Sequence, residues 1–578
     1  MSVTHIRKTT LSVGRGGWSL CAIVAGLVFL LALNGCGSGK APSFQSSDSD
    51  DPVLVGAPAA AQALGERLFL DPRFSQYFAT HMTGINLPLA VGDPVVQQVQ
   101  TTNGTLPGPF AGQSINCRSC HFVTEFQGVP GAGNRTYADF TSRSPIPRAI
   151  NGFDHTPRNA LAMVGSLQSH DSPIFLHSDG EFNSATDLVK ATLTGRNFGW
   201  TPDEYSQAVA QIALVIRQDD GTGQLAEDRS SGIPYAAMFL GADRSIPSQL
   251  LIPQSFRLNV QTASDEQILD AVAALISAYM QGLLFKQDSF GRYIASPYDV
   301  FLRINHLPTQ AIAGQTIAQY NQQLLTILQS LNHPTWVDGT YGSFQYHQQP
   351  FAFGATELAG LKIFLRAAVQ ASDGSQHAGN CAACHTAPDF TDFKFHNTGV
   401  SQAEYDAANG DGAFAQLAIP SLTARNQNYN AYLPATVNHP DAGERFRREA
   451  VAGQPQFADL GMWNVYLNPD MPNPQSALKS IVCTAGHDCS IDQGLANTIA
   501  QFKTPTLRDL ADSNPYLHNG SKLTLTEVVN FYVFTSQLAR EGKLRNPPPE
   551  MQNMSIGSGD VEALVAFLNS LTEDYDDN

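Results

Sequence analysis

The sequence has 578 residues, of which 43% are hydrophobic and 15% are charged, and its formal net charge is −17 at pH 7. A chain of this length suits two or three domains and can bury a sizeable apolar core. The acidic excess argues against a nucleic acid partner and against a polybasic membrane-binding surface.

The N-terminus has the pattern of an export signal. Arg7, Lys8 and Arg15 precede an apolar stretch over 18–33, which has the length of a secretory signal and is short for a membrane-spanning helix. We therefore expect residues 1–35 to be a signal peptide. The alternative is a single uncleaved membrane anchor, which also places the rest of the chain outside the cytoplasm.

The apolar stretch ends in Leu-Asn-Gly-Cys, and the cysteine is Cys36. This segment resembles the lipobox of bacterial lipoproteins, and Gly37 after the cysteine is typical of lipoproteins at the outer membrane. We expect lipidation at Cys36 and a lipid-anchored protein in the periplasm or at the cell surface, with the outer membrane favoured. Residues 36–58 are rich in Ser, Asp, Gly and Pro, and this composition predicts a flexible tether.

Four of the eight cysteines stand in two CxxCH motifs, the pattern of covalent haem c attachment. In that chemistry two thiols bond the haem vinyl groups and the adjacent histidine binds the iron. A redox CxxC or half of a zinc site is the alternative, but neither has its expected sequence context here. The sequence therefore predicts two covalent haem c groups, held by Cys117, Cys120 and His121, and by Cys381, Cys384 and His385.

Two further cysteines, Cys483 and Cys489, lack a following histidine at the haem spacing. In an oxidising compartment they predict a short disulfide. Metal binding together with His487 is the alternative.

The periodicity of apolar residues predicts a mainly α fold, because no series of alternating strands is present. Residues 63–75 and 357–365 precede the two motifs with similar lettering, which indicates an internal duplication of a cytochrome c-like unit. Ser264 and Gln267 predict a capping box before a helix whose apolar stripe belongs to the core. We expect two cytochrome c-like haem domains with long loops.

Four segments, 63–75, 156–161, 395–400 and 502–532, resemble the bacterial di-haem cytochrome c peroxidase and MauG family. The resemblance implies reduction of hydrogen peroxide, with electrons passed through the second haem to the first. The alternatives are a MauG-like protein-modifying oxidase or a di-haem oxygenase, and a non-catalytic electron-transfer cytochrome.

The resemblance also implies a domain plan. The N-terminal cytochrome c-like domain would occupy 59–260 and carry the haem that reacts with peroxide. A connecting helical segment would occupy 261–350, and a C-terminal cytochrome c-like domain with the electron-transfer haem would occupy 351–578. An insertion at about 401–500 has no role that the sequence reveals.

His121 and His385 are by this resemblance the proximal ligands of the two haem irons. Peroxidases of the family have a methionine as the sixth ligand of the second haem, where this sequence has Tyr532, as MauG-type enzymes do. A phenolate favours ferric iron, whereas a thioether raises the potential. Met471 and Met554 are the alternative ligands.

The family also holds a calcium ion between its haem domains. The matching positions are Asn159, Ser513 and Pro515, the last two through backbone carbonyls. Oxygen donors suit this hard cation.

The distal residues of the first haem are less determined. The histidine that closes this site in some family members falls on Asn151, which predicts an open iron, although His155 lies close by in the sequence. The catalytic candidates beside His121 are His177, Glu181, Arg196 and Glu204.

The expected partners follow from the same resemblance. They are hydrogen peroxide and a small electron-donor protein, either a cytochrome c or a cupredoxin. A homodimer is one assembly that this interpretation allows.

Overall fold

The computed structural model describes residues 58–101, 104–107, 110–121, 145–150, 153–168, 173–242, 246–367, 377–483, 490–510 and 513–575. The signal peptide, Cys36, nearly all of the tether, Asn151 and Cys489 lie outside the described residues. The expectations of export, lipidation and a Cys483–Cys489 disulfide therefore stay predictions.

Helices dominate the described residues and confirm the mainly α class. The helices of the first half are α1 (Ala59–Phe69), α2 (Gln76–His81), α3 (Pro94–Gln97), α4 (Ala185–Leu193), α5 (Tyr205–Gln218), α6 (Gln224–Ser230), α7 (Tyr235–Leu240) and α8 (Asp265–Gly282). Those of the second half are α9 (Pro297–Ile304), α10 (Ile317–Ser330), α11 (Ala355–Leu365), α12 (Val400–Asn409), α13 (Ala413–Gln416), α14 (Leu422–Gln427), α15 (Tyr429–Tyr432), α16 (Gln475–Val482), α17 (Ile491–Asn497), α18 (Leu525–Arg540) and α19 (Asp560–Asn569).

Short antiparallel strand pairs supplement the helices in the described ranges. They are β1 (Gln98–Thr101) with β2 (Gly104–Pro107), β3 (Pro145–Ile150) with β4 (Phe153–His155), and β5 (Phe395–His396) with β6 (Phe502–Lys503). In the last pair Phe395 lies opposite Lys503 and His396 opposite Phe502. This pair joins the chain after the second CxxCH motif to the closing stretch.

Helices α1 and α8 form the centre of the first core. Gly65 of α1 makes their close approach possible, because a Cβ atom there would lie 2.0 Å from the carbonyl oxygen of Leu275 in α8. The predicted capping box is confirmed: Ser264 caps α8 and Gln267 bonds back to its backbone. The apolar stripe of α8 is buried in the same core as α1, α4, α5 and α7.

Helices α11 and α19 form an analogous pair in the second core. Here Gly360 of α11 allows the approach, since a Cβ atom would lie 1.9 Å from the carbonyl oxygen of Ala563 in α19. Helices α9 and α10 contribute to the same core. Both pairs thus join a helix that precedes a CxxCH motif to a helix much later in the chain.

The residues over 401–500, called here the 401–500 segment, form a third core from α12 to α17. Phe175 and Phe395 from outside the segment are buried in this core, and their rings meet edge to face at 5.3 Å. The segment is therefore packed against the chain that follows each CxxCH motif.

Two tight turns with the same geometry precede α4 and α18. The first is closed by a bridge between Leu176 and Phe182 and the second by a bridge between Tyr516 and Lys522. Each has a glycine with positive φ at the same place, Gly180 and Gly520. A capping hydroxyl then starts each helix, from Ser184 before α4 and Thr524 before α18.

The domain boundaries at 260 and 350 and the duplication stay predictions. No described helix has the length and apolar character needed to cross a membrane.

Candidate haem sites

Each CxxCH motif begins with a short 3-10 turn, Cys117–Ser119 in the first and Cys381–Ala383 in the second. The first turn is fixed by a capping box in which Asn116 and Ser119 bond each other's backbone N–H groups. In each motif the backbone N–H of the histidine donates a hydrogen bond to the backbone carbonyl of the first cysteine. The local chain thus places two thiols and the histidine in one compact turn.

The two motif histidines are oriented by backbone carbonyls. His121 donates from Nδ1 to the Leu161 carbonyl at 2.8 Å, and His385 donates from Nδ1 to the Phe390 carbonyl at 3.0 Å. A carbonyl can only accept, so Nδ1 carries the proton and Nε2 carries the lone pair in each neutral ring. Burial lowers the pKa of both rings and favours this neutral form. This is the arrangement of a metal-binding histidine.

Residues of both motifs line one cavity of about 1170 Å³. A cavity for one small ligand typically has about 300–1,000 Å³, so this one has room for more than one large group. Burial raises the pKa of Cys117 and of Cys381 to about 12, so both thiols lie in an apolar wall. The residues present therefore fit two haem groups in shape, donor set and polarity.

Tyr532 of α18 lies beside the second motif. It is partly buried, and the desolvation of its hydroxyl raises the pKa of that group, with further contributions from the nearby thiols of Cys384 and Cys381. Thr398 hydrogen-bonds the same hydroxyl. Met554 packs in one cluster with Tyr532 and also lines the cavity. Tyr532 and Met554 are thus both placed as ligand candidates.

Met471, the other alternative ligand, lies in a different part of the cavity wall. It belongs to the third core and comes from the 401–500 segment, next to Pro472 and Asn473.

Thr192 of α4 occupies the position that Tyr532 occupies in α18. The two residues stand equally far along the chain from Gly180 and Gly520 of the matching turns. The Thr192 hydroxyl donates to the Leu188 carbonyl at 2.9 Å, and the residue lines the cavity. Its short side chain is bonded to its own helix, so α4 has no counterpart of the Tyr532 hydroxyl at this position.

A charged group stands in the wall on the side of the first motif. His177 contacts Glu181 at 3.0 Å between Nδ1 and Oε2, and Arg447 of the 401–500 segment contacts Glu181 at 2.5 Å between Nη2 and Oε2. All three line the cavity. His177 is also near enough to His121 to contribute to its lowered pKa.

Burial alone would raise the pKa of Glu181. The guanidinium of Arg447 and the ring of His177 outweigh this and hold that pKa well below its usual range. Glu181 is therefore a carboxylate with both oxygens engaged, since Arg447 also contacts Oε1 at 3.3 Å.

Arg158 links this charged wall to the 401–500 segment through hydrogen bonds to two carboxylates. Its guanidinium bonds Asp179 at 2.5 Å and both oxygens of Asp459, at 2.6 and 2.8 Å. All three side chains are buried. Two parts of the chain about 300 residues apart are thus joined by charge-assisted hydrogen bonds.

The remaining distal candidates separate into two groups. Arg196 lines the cavity and forms an ion pair with the buried Glu444 of the 401–500 segment. Glu204 instead caps its own turn and pairs with Arg148 at 2.8 Å, and the described cavity lining does not include it. The structure therefore brings His177, Glu181 and Arg196 to the first motif's cavity and leaves Glu204 outside it.

Sequence reasoning missed Glu444 and Arg447. They follow the candidates they contact by about 250 residues, at 248 positions for Arg196 and Glu444 and 266 for Glu181 and Arg447. No local spacing signals such a pairing.

Two of the three predicted calcium positions, Asn159 and Pro515, are in contact in the structure. The Asn159 side-chain amide contacts the Pro515 carbonyl at 2.6 Å, and the Asn159 backbone N–H donates to the His518 carbonyl at 2.7 Å. Ser513 lines the same cavity. Away from this place, His155 contacts Glu449 at 2.9 Å.

Comparisons with known proteins agree with the motifs. No family model matches the sequence. The cytochrome-c peroxidase IdrP2 of Pseudomonas sp. (strain SCT) is 28% identical over 194 residues, which cover 34% of this chain and 36% of that protein. The methylamine utilization protein MauG of Paracoccus denitrificans (strain Pd 1222) is 29% identical over 152 residues, which cover 22% of this chain and 37% of that protein.

Solved structures were compared as well. A MauG-like protein associated with microbial copper homeostasis has a TM-score of 0.42 and 15% identity, with 92% of this chain and 96% of that chain covered. The diheme peroxidase BthA from Burkholderia thailandensis E264 has a TM-score of 0.40 and 16% identity, with 91% and 89% covered.

The matches in sequence span little more than a third of each relative's length. They nevertheless name the same type of protein as the two haem motifs do. Over these spans the chain is similar to the cytochrome-c peroxidase IdrP2 and to MauG, and both similarities agree with its two CxxCH motifs.

Proposed function

We propose that this chain is a di-haem c-type peroxidase that reduces hydrogen peroxide at its first haem site. Electrons would come from a small cytochrome c or cupredoxin and pass through the second haem site. The observation that carries this proposal is the difference between Thr192 and Tyr532 at matching helix positions, because it supports an open first site beside a second site with a candidate tyrosine ligand.

In this proposal Cys117 and Cys120 bond the first haem and Cys381 and Cys384 the second. When bound, haem supplies an iron that binds peroxide or carries an electron. The chain's own contribution begins with the two proximal histidines, whose carbonyl partners fix the tautomer and ring orientation.

The charged wall of the first site suits peroxide, a small polar substrate whose protons must be moved. The wall of the second site near Tyr532 includes the apolar side chains of Met551, Met554 and Ile556. An apolar wall suits a site that only exchanges electrons, because it excludes water and peroxide from the metal.

The proposal also includes calcium, export and the internal duplication. Turning the Asn159 amide would direct its oxygen to a cation shared with the carbonyls of Ser513 and Pro515, which are hard ligands. The N-terminal pattern supports a lipid-anchored protein in the periplasm or at the outer membrane. The matching turns and the paired glycines support a duplicated haem unit.

A second candidate function is a MauG-like oxidase that modifies another protein. Tyr532 favours it, because a tyrosine ligand stabilises oxidised iron. The reductant of this function would be a side chain of the partner protein.

The test is low-temperature EPR of the ferric protein loaded with both haems, before and after hydrogen peroxide. A high-spin signal that peroxide removes within one turnover, beside a low-spin signal, supports the proposal. Two low-spin signals unchanged by peroxide, even after partial reduction, contradict it and indicate an electron-transfer cytochrome. Steady consumption of peroxide with reduced cytochrome c distinguishes the peroxidase from the protein-modifying oxidase.

A further inference from the structure

A buried tyrosine, Tyr293, lies between the chain segments that follow the two CxxCH motifs. Its hydroxyl donates a hydrogen bond to Oδ1 of Asp389 at 2.7 Å, and the side-chain amide of Gln168 donates to the same oxygen at 2.5 Å. Gln168 belongs to the chain after the first motif, whereas Asp389 stands shortly after His385 of the second. A single carboxylate oxygen thus joins Tyr293 to both haem regions.

Tyr293 also adjoins the cavity that fits the two haem groups. The guanidinium of Arg508 lies 3.6 Å from the centre of its ring, and the ring of Phe285 meets it edge to face at 6.4 Å. Arg508, Phe285 and Gln168 all line the cavity. Tyr293 itself is only 6% exposed. It therefore stands one side chain away from the cavity and out of contact with bulk water.

We propose that Tyr293 is an oxidisable residue, which gives an electron to the peroxide-oxidised haems and its hydroxyl proton to Asp389. The inference rests on the proposed function and adds a third redox group to it. Tyr293 acts when no electron-donor protein is bound, and the donor protein later restores it.

The hydrogen bond to Asp389 is the feature that makes this oxidation feasible. A phenol that loses an electron becomes a very strong acid, so its proton has to leave in the same step. Burial and the charge of Asp389 raise the pKa of the Tyr293 hydroxyl, and the resting side chain is therefore a neutral phenol. Asp389 Oδ1 can accept the proton along an existing hydrogen bond, without movement of either side chain.

The electrons and protons of this step balance. Reduction of one hydrogen peroxide to two water molecules takes two electrons and two protons, and the two protons come from solvent. Without a bound donor, one electron comes from haem iron and the other from Tyr293, whose O–H bond breaks as the proton moves to Asp389. The donor protein then returns an electron to Tyr293, and Asp389 returns the proton.

The charges around the ring are compatible with loss of an electron. Arg508 is a cation over the ring and would by itself oppose oxidation. Its guanidinium, however, bonds both carboxylate oxygens of Asp299 at 3.0 Å each, so this buried pair has no net charge. Asp389 then adds a negative charge beside the hydroxyl.

Tyr235 has a similar hydrogen bond in a different setting. Its hydroxyl donates to Asp71 at 3.0 Å, but Arg73 pairs with that carboxylate at 2.7 Å, and the guanidinium of Arg67 lies 3.8 Å from the centre of the Tyr235 ring. None of these four residues is among the described lining residues of the cavity. Tyr235 is therefore the matched control, a buried phenol bonded to a carboxylate away from the haem sites.

The experiment is freeze-quench EPR of the ferric holoprotein mixed with hydrogen peroxide in the absence of an electron donor. The wild type is compared with Tyr293→Phe, Asp389→Asn and Tyr235→Phe. Ring-deuterated tyrosine in the wild type identifies a tyrosine radical by the narrowing of its signal. Stopped-flow absorbance follows the haems in parallel, and pyridine haemochrome absorbance counts the haems in each variant.

We expect a tyrosine radical in the wild type that Tyr293→Phe removes and Tyr235→Phe leaves unchanged. Asp389→Asn keeps a hydrogen-bond acceptor for the hydroxyl but removes the carboxylate that takes its proton. The rate constant for radical formation should therefore fall by about 100-fold in Asp389→Asn, the usual contribution of a positioned base. This variant decides the assignment if Tyr293→Phe fails to bind both haems.

Three results would overturn the assignment: haems that react with peroxide without forming a tyrosine radical, a radical that persists in Tyr293→Phe, and a rate in Asp389→Asn equal to that of the wild type. Loss of the radical in Tyr235→Phe would place it on the wrong residue and overturn the assignment as well. Haems that do not react with peroxide in the wild type are a separate result, which contradicts the proposed function and removes the oxidant of Tyr293 with it.

Discussion

The regions around the two CxxCH motifs share several structural features and differ at one position of the helix that follows the tight turn. Both have a helix pair joined at a glycine, a motif histidine bonded to a carbonyl, and a tight turn followed by a capped helix. Helix α18 then presents Tyr532, whereas α4 presents Thr192. In the proposed function the shared features hold a haem at each site, and the difference between Tyr532 and Thr192 separates the roles of the two haems.

The cavity walls near Tyr532 and near Thr192 also differ in their side chains. Near Tyr532 the chain provides methionines and other apolar side chains. Near Thr192 it provides His177, Glu181, Glu444 and Arg447, two of them from the 401–500 segment. The 401–500 segment therefore adds Glu444 and Arg447 to the cavity wall near Thr192.

The largest expected effect comes from removing one haem at a time. Cys117→Ser with Cys120→Ser abolishes peroxide reduction, because the reactive site is lost. Cys381→Ser with Cys384→Ser leaves a peroxide reaction in a single turnover but abolishes steady turnover with an electron donor. Pyridine haemochrome absorbance should show one haem per chain in each double variant, and loss of both haems from either variant would contradict this separation.

Closing the first site should make it resemble the second. In Thr192→Met a long thioether enters the cavity at the position of the ligand in α18, so the high-spin EPR signal becomes low-spin. The rate constant for peroxide then falls by about 100-fold, because the iron position is taken. Thr186→Met, on the same helix and not among the described lining residues, is the control. An unchanged high-spin signal in Thr192→Met would show that α4 does not match α18.

Replacing Tyr532, the proposed ligand of the second haem, should change the reduction potential of that haem more than it changes the fold. Tyr532→Met raises the reduction potential of that haem by roughly 0.1 V or more, a fraction of the ~0.8 V range set by axial ligands. The physical reason is that a thioether favours reduced iron, whereas a phenolate favours oxidised iron. Spectroelectrochemical titration measures it. The same titration of Met554→Leu is the control, and a shift in Met554→Leu but not in Tyr532→Met would assign the ligand to Met554.

The ion pair that holds the charged wall should contribute to stability. Arg447→Met leaves Glu181 buried without its main partner, and we expect the free energy of unfolding to fall by about 3 kcal/mol at pH 7. The pKa of Glu181 is lowered in the folded protein, so its stabilisation is present above the unfolded value and is lost as the pH falls toward the folded value.

The difference between wild type and Arg447→Met in urea unfolding should therefore shrink below the ordinary carboxyl range. Arg292→Met is the control, because solvent screens its surface ion pair with Asp288, which therefore stabilises the fold much less than a buried pair. A difference that grows at low pH would show that the pair does not stabilise the folded wall.

The smallest effect tests the shared plan. Gly65→Ala and Gly360→Ala should each destabilise by about 1–3 kcal/mol, because the added Cβ atom meets a backbone carbonyl of the partner helix in both cores. Gly339→Ala should be nearly neutral, since no atom lies within 4 Å of the added Cβ there. Thermal unfolding measures all three, and a neutral Gly360→Ala would argue against two equivalent helix pairs.

The sequence by itself determined the helical class and the cap of α8, and it predicts the haem attachment points. These features depend on residues close together in the chain: a CxxCH motif spans one turn, and a capping box spans four residues. The tyrosine at position 532 was also identified from its place in a local pattern. None of these required knowledge of which distant segments meet.

Only the tertiary structure decided which charged residues meet at the first site. Glu204 had the right type and neighbourhood in sequence, yet Arg148 and its own turn engage it. Glu444 and Arg447 carry no motif, yet packing of the 401–500 segment around Phe175 and Phe395 brings them to the cavity. Contacts between residues some 250 positions apart depend on how whole cores pack, and the local spacing of residues does not predict that packing.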